Sequence, residues 1–213
     1  MAQENARYRS GLESSFYDQK AVAIRKTDSS LVHQYTYIPA RVINNSVIYR
    51  NNYLTLNRGS IHGVKKHMGV ICPGGVVGIV MNVSEHFCTV QSALNKNSII
   101  NAKILENNYF GPLVWEGEDP RYGILKDINK HVEVKKSQTV VTSAFSHIFP
   151  ENIPIGKIEE VGYDPGGNFY RLEVRLSTPF ASLSNAYIIL NKMQDEINAL
   201  ESQNPKPQLE DER

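Results

Sequence analysis

The segment EEVGYDPGGNFYRLEVRLS, residues 159–177, gives the clearest indication of the fold. From Phe169 to Ser177 charged residues alternate with apolar ones, which are Tyr170, Leu172, Val174 and Leu176. This alternation predicts a strand that turns one face to a core and the other to water. The turn-forming residues 164–167, DPGG, separate this strand from the residues before it. The segment is therefore predicted to be an antiparallel β-hairpin.

The same two-residue period continues over most of the chain from Gln34 onward. Two further sets of alternating apolar residues are Val77, Ile79, Met81 and Val83, and Ile100, Ala102 and Ile104. Shorter strands are predicted at residues 40–45, 53–57, 70–72, 88–93, 110–116, 139–143, 153–161 and 186–191. The residues 73–75, PGG, predict a second tight reversal.

Many short strands, without helices of about 10 to 15 residues between them, favour β-barrels or a sandwich over an α/β fold. About a dozen strands is too many for one sheet and fits two small barrels. We predict a mainly β protein with two antiparallel β-barrel domains, at residues 31–98 and 99–192, divided near Leu94 to Ile99. In the alternative arrangement the final strand returns to the first barrel.

The residues before and after the barrels have helical spacing. In the first segment apolar residues recur at four-residue intervals, and these are Tyr8, Leu12 and Phe16. Residues 1–30 are therefore predicted to be the end of a longer helix or coiled coil that joins two chains, with a frayed terminus as the alternative. Residues 193–213 are predicted to form a short helix followed by a disordered tail.

The composition is that of a folded protein without a broad electrostatic preference. The 213 residues carry 23 basic and 22 acidic side chains, a net charge of +1. Nucleic-acid binding usually depends on a surplus of positive charge, so no nucleic-acid partner is expected. No apolar run approaches the roughly 20 residues that span a bilayer. The opening residues MAQENAR read like the interior of a polar helix, which suggests that the natural protein continues upstream.

The two cysteines, Cys72 and Cys88, fall on neighbouring predicted strands. Their spacing permits a disulfide in an oxidising compartment. Two buried thiols that pack as small apolar side chains are the alternative that we favour. The sequence leaves both open.

No group of residues shows a recognisable catalytic or metal-binding pattern. Ser143 follows a predicted strand, but the glycines of a nucleophile loop are missing. His62 and His67 share a loop without the spacing of metal ligands. The acidic segment 116–119 lies on a polar turn, whereas a glycosidase acid needs burial. We therefore expect no enzyme, no cofactor and no metal site.

Three stretches carry a family resemblance: LNRGSIHGVKK at 56–66, VICPGGVVGIV at 70–80, and VVTS at 140–143 with the downstream FP and IPIG at 149–150 and 153–156. In this order and spacing they resemble the rod shape-determining protein MreC family, over about residues 41–190. The motif positions are Gly59, Gly63, Gly75, Gly78, Thr142, Ser143, Pro150, Pro154 and Gly156. The chain departs from the family pattern at 144–147, where AFSH replaces the usual glycines, and at Ser137-Gln138.

The resemblance implies a bacterial protein that is anchored in the inner membrane by an N-terminal helix absent from this sequence, followed by a coiled coil and two β domains. It implies a non-enzymatic scaffold on the periplasmic side, which organises peptidoglycan synthesis within the cell-elongation complex. The implied partners are a second copy of the chain (a homodimer or a higher assembly), MreD and the elongation transpeptidase, a class B penicillin-binding protein.

Aromatic residues are the first candidates for partner contacts, because aromatic side chains dominate binding hot spots. They are Phe145, His147 and Phe149 in the divergent loop, and Tyr109, Phe110 and Trp115 near the start of the second barrel. For each of them, burial in the core is the alternative. Two other functions stay open at this point. One is a peptidoglycan-binding module, which the same aromatic residues suggest, and the more remote one is a secreted chymotrypsin-like hydrolase.

Overall fold

A computed structural model describes residues 5, 6, 9, 16–18, 31–164 and 167–203. These residues contain 14 strands. In chain order the strands are β1 (Phe16–Asp18), β2 (Leu31–His33), β3 (Tyr35–Asn45), β4 (Asn51–Leu56), β5 (Gly69–Cys72), β6 (Gly75–Val83), β7 (Cys88–Asn95), β8 (Ile99–Ile104), β9 (Phe110–Val114), β10 (Tyr122–Asn129), β11 (Thr139–Thr142), β12 (Pro154–Tyr163), β13 (Phe169–Leu176) and β14 (Asn185–Asn191).

Twelve of the strands form two closed antiparallel barrels of six strands each, in the orders β14-β3-β4-β7-β6-β5 and β10-β13-β12-β11-β8-β9. The prediction of a mainly β protein with two antiparallel barrels is confirmed. The last strand, β14, returns to the first barrel, where it pairs with β3 and β5. The second barrel therefore ends with β13 at Leu176, and the range 99–192 predicted for it is too long at its end.

In the hairpin of β12 and β13 one face of the sheet packs on the core and the other is exposed to water. The alternation of apolar and charged residues therefore predicts the buried side chains of β13 correctly. Leu172 and Val174 are fully buried, while Arg175 on the same strand is exposed. In β6 the prediction that Met81 faces the core is wrong, since Met81 is 43% exposed. A bulge between Val80 and Asn82 shifts the register there and turns Met81 outward.

The two barrels share one apolar core at their junction. Ile71 and Val76 of the first barrel belong to the same buried cluster as Phe149 and Ile155 of the second. Val76 is covered by this contact, and the next residue, Val77, lies in the separate core of the first barrel. This stretch of β6 is therefore buried on both faces.

The helix predicted for residues 1–30 is wrong over Phe16–Asp18, which form β1 and pair with Leu31–His33. Aromatic residues favour strands, and the preceding Gly11 and Ser14-Ser15 weaken a helix. Asn5, Ala6 and Arg9 are helical. Tyr8 and Leu12, the other two residues of the predicted dimer helix, lie outside the described residues.

The helix α1 (Gln194–Glu201) follows β14. An exposed ion pair between Lys65 and Asp195, 2.9 Å long, connects it to the first barrel. No helix within the described residues is long and apolar enough to cross a membrane. The tail predicted after this helix, residues 204–213, lies outside the described residues.

The two cysteines are buried free thiols. Cys72 pairs with Gly75 at one end of β6, and Cys88 pairs with Val83 at the other end. The length of β6 separates them by more than 20 Å at about 3.3 Å per residue, whereas a disulfide needs Cα atoms within about 7 Å. The geometry therefore excludes the disulfide that the sequence left open.

We expect both thiols to resist an aromatic disulfide reagent in the folded protein at pH 8 and to react at once in denaturant. Burial raises the pKa of Cys88 to about 11, so that about a thousandth of this thiol is ionised at pH 8. Absorbance of the released thiolate measures the rate, and Ser177→Cys at an exposed position is the control that reacts while folded. Rapid labelling of the unsubstituted folded chain would show that the barrel opens freely.

Candidate partner-binding surface

The outer surface of β8 and β9 carries a contiguous set of exposed apolar side chains. Ile99 is 61% exposed and Phe110 56%, and Phe145, from the loop after β11, is 66% exposed. Pro112 and Val114 are half-buried, and Val114 lies opposite Ile99 in the strand register. These five residues are referred to below as the β8–β9 apolar face.

The rings of Phe110 and Phe145 contact each other although they come from different elements. Their centroids are 4.7 Å apart and their planes are tilted by 46°. The side-chain amide of Asn101 donates a hydrogen bond of 2.7 Å to the carbonyl oxygen of Phe145, which ties the loop to β8. The pair is therefore preformed, which lowers the cost of ordering it on binding.

The loop that carries Phe145, residues 143–152, is closed at its base by Thr142. The Thr142 hydroxyl donates to the carbonyl oxygen of Pro150 at 2.6 Å and accepts from the N–H of Ile153 at 2.8 Å. All of these polar atoms are buried, so each bond avoids the cost of an unpaired polar group. Thr142 thus fixes the two ends of the loop.

The residues that depart from the family pattern, Ala144, Ser146 and His147, form part of this loop. The Ser146 hydroxyl accepts from the N–H of Phe149 at 3.2 Å. The carbonyl oxygen of His147 accepts from the side-chain amide of Asn191 in β14 at 3.0 Å. The first barrel thus holds the loop from its other side.

A buried lysine anchors the end of the loop to β8. Lys103 is 9% exposed, and its Nζ lies 2.5 Å from Glu151 Oε1 and 3.1 Å from Asn108 Oδ1. Breaking such a pair would leave a charge without its partner in a poorly solvated place. The ammonium is therefore held beside the loop. Because Lys103 lies directly opposite Phe110 in the strand register, this ion pair borders the β8–β9 apolar face.

Two of the contact residues predicted from the sequence are wrong. Phe149 is 2% exposed and Trp115 is 4% exposed. The Phe149 ring packs so closely on Gly69 of the first barrel that an added Cβ would lie 2.8 Å from it. The indole N–H of Trp115 donates to the carbonyl oxygen of Asp119 at 3.0 Å. Both aromatic residues stabilise the fold.

The other predicted contact residues, Phe110, Phe145, Tyr109 and His147, are exposed. The structure brings the first two together and adds Ile99, which sequence analysis did not single out. Its neighbours in alternation, Ile100, Ala102 and Ile104, are buried. Since successive side chains of a strand point to opposite faces, the exposure of Ile99 could have been inferred from this alternation.

The motif residues shared with the family shape the fold. Gly59 and Gly63 flank the 3₁₀ turn Ser60–His62, and Gly63 has φ +83°, a left-handed conformation that favours glycine. Gly75 and Pro154 meet at the junction of the barrels, where a Cβ on Gly75 would overlap the Pro154 carbonyl oxygen. The others lie in strands or in the loop after β11: Gly78, Thr142, Ser143, Pro150 and Gly156.

The polar groups considered for catalysis are paired or buried. The Lys126 ammonium, 2.7 Å from Glu116, and the Arg171 guanidinium hold the pKa of Glu116 below its ordinary value, whereas a general acid needs a raised one. The Ser143 hydroxyl is buried and has no hydrogen-bond partner in the described part of the chain, so no base there activates it. Among those same residues, no three His, Cys, Asp or Glu side chains are grouped as metal ligands.

Comparison with known proteins places the chain in a family. The family model described as "Rod shape-determining protein MreC, barrel core" matches residues 42–190. The cell shape-determining protein MreC of Listeria monocytogenes serovar 1/2a is 32% identical over 144 residues, which cover 66% of this chain and 48% of that protein. The chain thus spans about half the length of this curated relative.

Solved structures share the two-barrel fold. An MreC structure from Listeria monocytogenes aligns with a TM-score of 0.69 at 25% identity, over 89% of this chain and 85% of that one. The major periplasmic domain from the cell shape-determining filament MreC gives 0.63 at 21% identity, over 75% and 98%. A complex between the penicillin-binding protein PBP2 and MreC from Helicobacter pylori gives 0.58 at 14% identity, over 74% and 99%. By its sequence motifs, its matched core and its fold, the chain belongs to the MreC family of rod shape-determining proteins.

Proposed function

We propose that this chain is a non-enzymatic binding module that helps to determine bacterial cell shape by docking the elongation transpeptidase, a class B penicillin-binding protein. The observation that carries the proposal is the β8–β9 apolar face, with its preformed pair of Phe110 and Phe145. A contiguous exposed apolar patch on a soluble domain marks an interaction site. The proposed location is the periplasmic side of the inner membrane.

Two relatives support the choice of partner and location. The Helicobacter pylori MreC was solved in a complex with PBP2, and another family structure is described as a periplasmic domain. A chain with the same two-barrel fold is suited to the same class of partner. The remaining family features are proposed with it: an anchoring helix upstream of this sequence, and MreD as a further partner.

The β8–β9 apolar face supplies binding energy through burial of aromatic and aliphatic surface. Full burial of a Phe or Ile side chain contributes about 1.5–3 kcal/mol, and the fixed loop reduces the entropy lost on docking. We propose that the chain acts on the transpeptidase by binding its active conformation more tightly than its inactive one. A ligand shifts a conformational equilibrium only by such a difference in affinity.

We expect the double variant Phe110→Ser, Phe145→Ser to bind the periplasmic domain of the transpeptidase at least about tenfold more weakly, because both aromatic anchors are lost. Isothermal titration calorimetry measures the affinity. Ile48→Ser, at a position 82% exposed on the first barrel, is the matched control and should bind like the unsubstituted chain. Unchanged affinity in a double variant that keeps its β-sheet circular dichroism spectrum would contradict the proposal.

A further inference from the structure

A cleft opens at one end of the second barrel, between the loop 105–109, which joins β8 to β9, and the loop 130–138, which joins β10 to β11. Its volume is about 320 Å³. Small-molecule sites span roughly 300–1,000 Å³ and are mostly apolar. Apart from Val132 of the core, the side chains that line this cleft are polar or aromatic. Its size therefore suits a small ligand, and its lining suits a polar one.

Hydrogen bonds across the cleft hold its two loops together. The side-chain amide of Asn107 donates to the carbonyl oxygen of Glu133 at 3.3 Å. The carboxylate of Glu106 accepts from the backbone N–H of Thr139, at the end of the second loop, at 2.9 Å. The loops are thus fixed before a ligand arrives, which lowers the entropy lost on binding.

Several polar groups of the cleft are left over for a ligand. The side-chain oxygen of Gln138 accepts from the N–H of Lys135 at 2.8 Å, which leaves its NH₂ group as the unused end. This NH₂ group, the hydroxyl of Tyr109 and the imidazole of His131 have no hydrogen-bond partner within the described residues. Tyr109 is also 50% exposed. The cleft thus offers an open aromatic ring beside groups that can donate and accept hydrogen bonds.

The charges of the cleft disfavour anionic ligands. Two carboxylates, of Glu106 and Glu133, and one ammonium, of Lys135, line it, so the lining carries a net charge of −1 when His131 is not counted. The Lys135 ammonium is paired with Glu133 at 2.7 Å. A phosphate or carboxylate ligand would meet the remaining negative charge without a free cation to offset it. The fitting ligand is therefore uncharged and rich in hydrogen-bonding groups.

We propose that this cleft binds an uncharged sugar residue of a glycan chain. A pyranose ring carries C–H groups on its faces, and these suit the negatively polarised face of the Tyr109 ring. Its hydroxyl groups both donate and accept, which suits a lining of amide, imidazole and carboxylate groups. At the proposed periplasmic location the glycan strands of peptidoglycan supply such residues. This choice of source rests on the proposed function, whereas the site itself does not.

Nuclear magnetic resonance titration of the ¹⁵N-labelled chain with trisaccharides tests the proposal. The neutral probes are triacetylchitotriose and cellotriose, and the anionic probe is trigalacturonate. We expect a neutral probe to shift the amide resonances of residues 105–109 and 130–138 in a saturable way. The tighter of the two shows whether the cleft recognises N-acetylated sugars. At low salt trigalacturonate should bind at least about threefold more weakly, because the acidic lining repels it.

Substitutions at Tyr109 test the role of its ring. Tyr109→Ala should bind the neutral probe at least about tenfold more weakly, because the stacking surface is lost. Tyr109→Phe keeps the ring and should stay within about threefold of the unsubstituted chain. The matched control is Tyr49→Ala, at a tyrosine that is 62% exposed on the first barrel, and its affinity should not change.

Any of three results would overturn the proposal. The first is the absence of saturable shifts in the two loops at up to about 20 mM of either neutral probe. The second is trigalacturonate that binds as tightly as the neutral probes. The third is a Tyr109→Ala variant that binds as well as Tyr49→Ala, or a Tyr109→Phe variant that binds as weakly as Tyr109→Ala. Transpeptidase binding by the unsubstituted chain is measured separately, so a failure of the sugar site leaves the proposed function standing.

Discussion

The variant Phe149→Ala is expected to lose about 3–5 kcal/mol of unfolding free energy. The Phe149 ring is 2% exposed and belongs to the core that the two barrels share. Its removal leaves a cavity beside Gly69, which has no side chain to fill the space. Urea denaturation followed by circular dichroism measures the loss.

Phe145 provides the matched control in the same loop. Its ring is 66% exposed, so Phe145→Ala should change the unfolding free energy by no more than about 0.5 kcal/mol. Equal losses of unfolding free energy in the two variants would contradict the difference in burial between the rings of Phe149 and Phe145. The expected difference separates a residue that holds the barrels together from one that is available to a partner.

The variant Gly75→Ala is expected to be destabilised by about 3 kcal/mol and to change the packing of the barrels. Gly75 has φ +140°, which a residue with a Cβ rarely adopts, and its new methyl group would overlap the carbonyl oxygen of Pro154. Overpacking alone costs about 1–3 kcal/mol. Because Pro154 belongs to the other barrel, the clash pushes the two barrels apart at this contact.

Denaturation and small-angle X-ray scattering measure the two consequences of Gly75→Ala. The control is Gly123→Ala in β10, where the nearest atoms would lie 3.4 Å from the new Cβ, an ordinary packing distance. This control should lose less than about 1 kcal/mol and keep the scattering profile of the unsubstituted chain. A Gly75 variant with the same unfolding free energy and scattering profile as the Gly123 variant would contradict the expectation that the close contact between Gly75 and Pro154 fixes the packing of the barrels.

The fold was predictable wherever a strand has one face in water. In β13 and β8 the apolar residues alternate with polar ones, and both strands were found. β10 was missed because Ile124 and Leu125 are both buried, and a bulge with Asp127 at φ +61° interrupts its alternation. In such places the position of the neighbouring elements decides which side chains are covered.

The binding surface was predictable only in part, because burial of an aromatic residue in a loop depends on distant contacts. The sequence does not distinguish Phe145 from Phe149, which lie in one loop. The structure distinguishes them, because the first barrel packs against Phe149 and leaves Phe145 in water. In contrast, the exposure of Ile99 follows from local alternation.

The N-terminal segment shows that the spacing of a few apolar residues is a weak predictor of secondary structure. Four-residue spacing of Tyr8, Leu12 and Phe16 predicts a helix, but Phe16 lies in β1, paired with β2. Three residues at one spacing are weak evidence for a helix, and pairing with the downstream strand β2 favours a strand at Phe16 instead. The function that this segment was expected to have, pairing of two chains, stays a prediction.

Photo-crosslinking from the β8–β9 apolar face tests the central proposal most directly. The photoreactive residue benzoylphenylalanine replaces Phe110 in one protein and Tyr49, 62% exposed on the first barrel, in another. Each protein is then irradiated with the periplasmic domain of the elongation transpeptidase. We predict a crosslinked product from position 110 and none from position 49. A product from position 49 alone, or none from position 110 while calorimetry still shows binding, would contradict the assignment of this face to the transpeptidase.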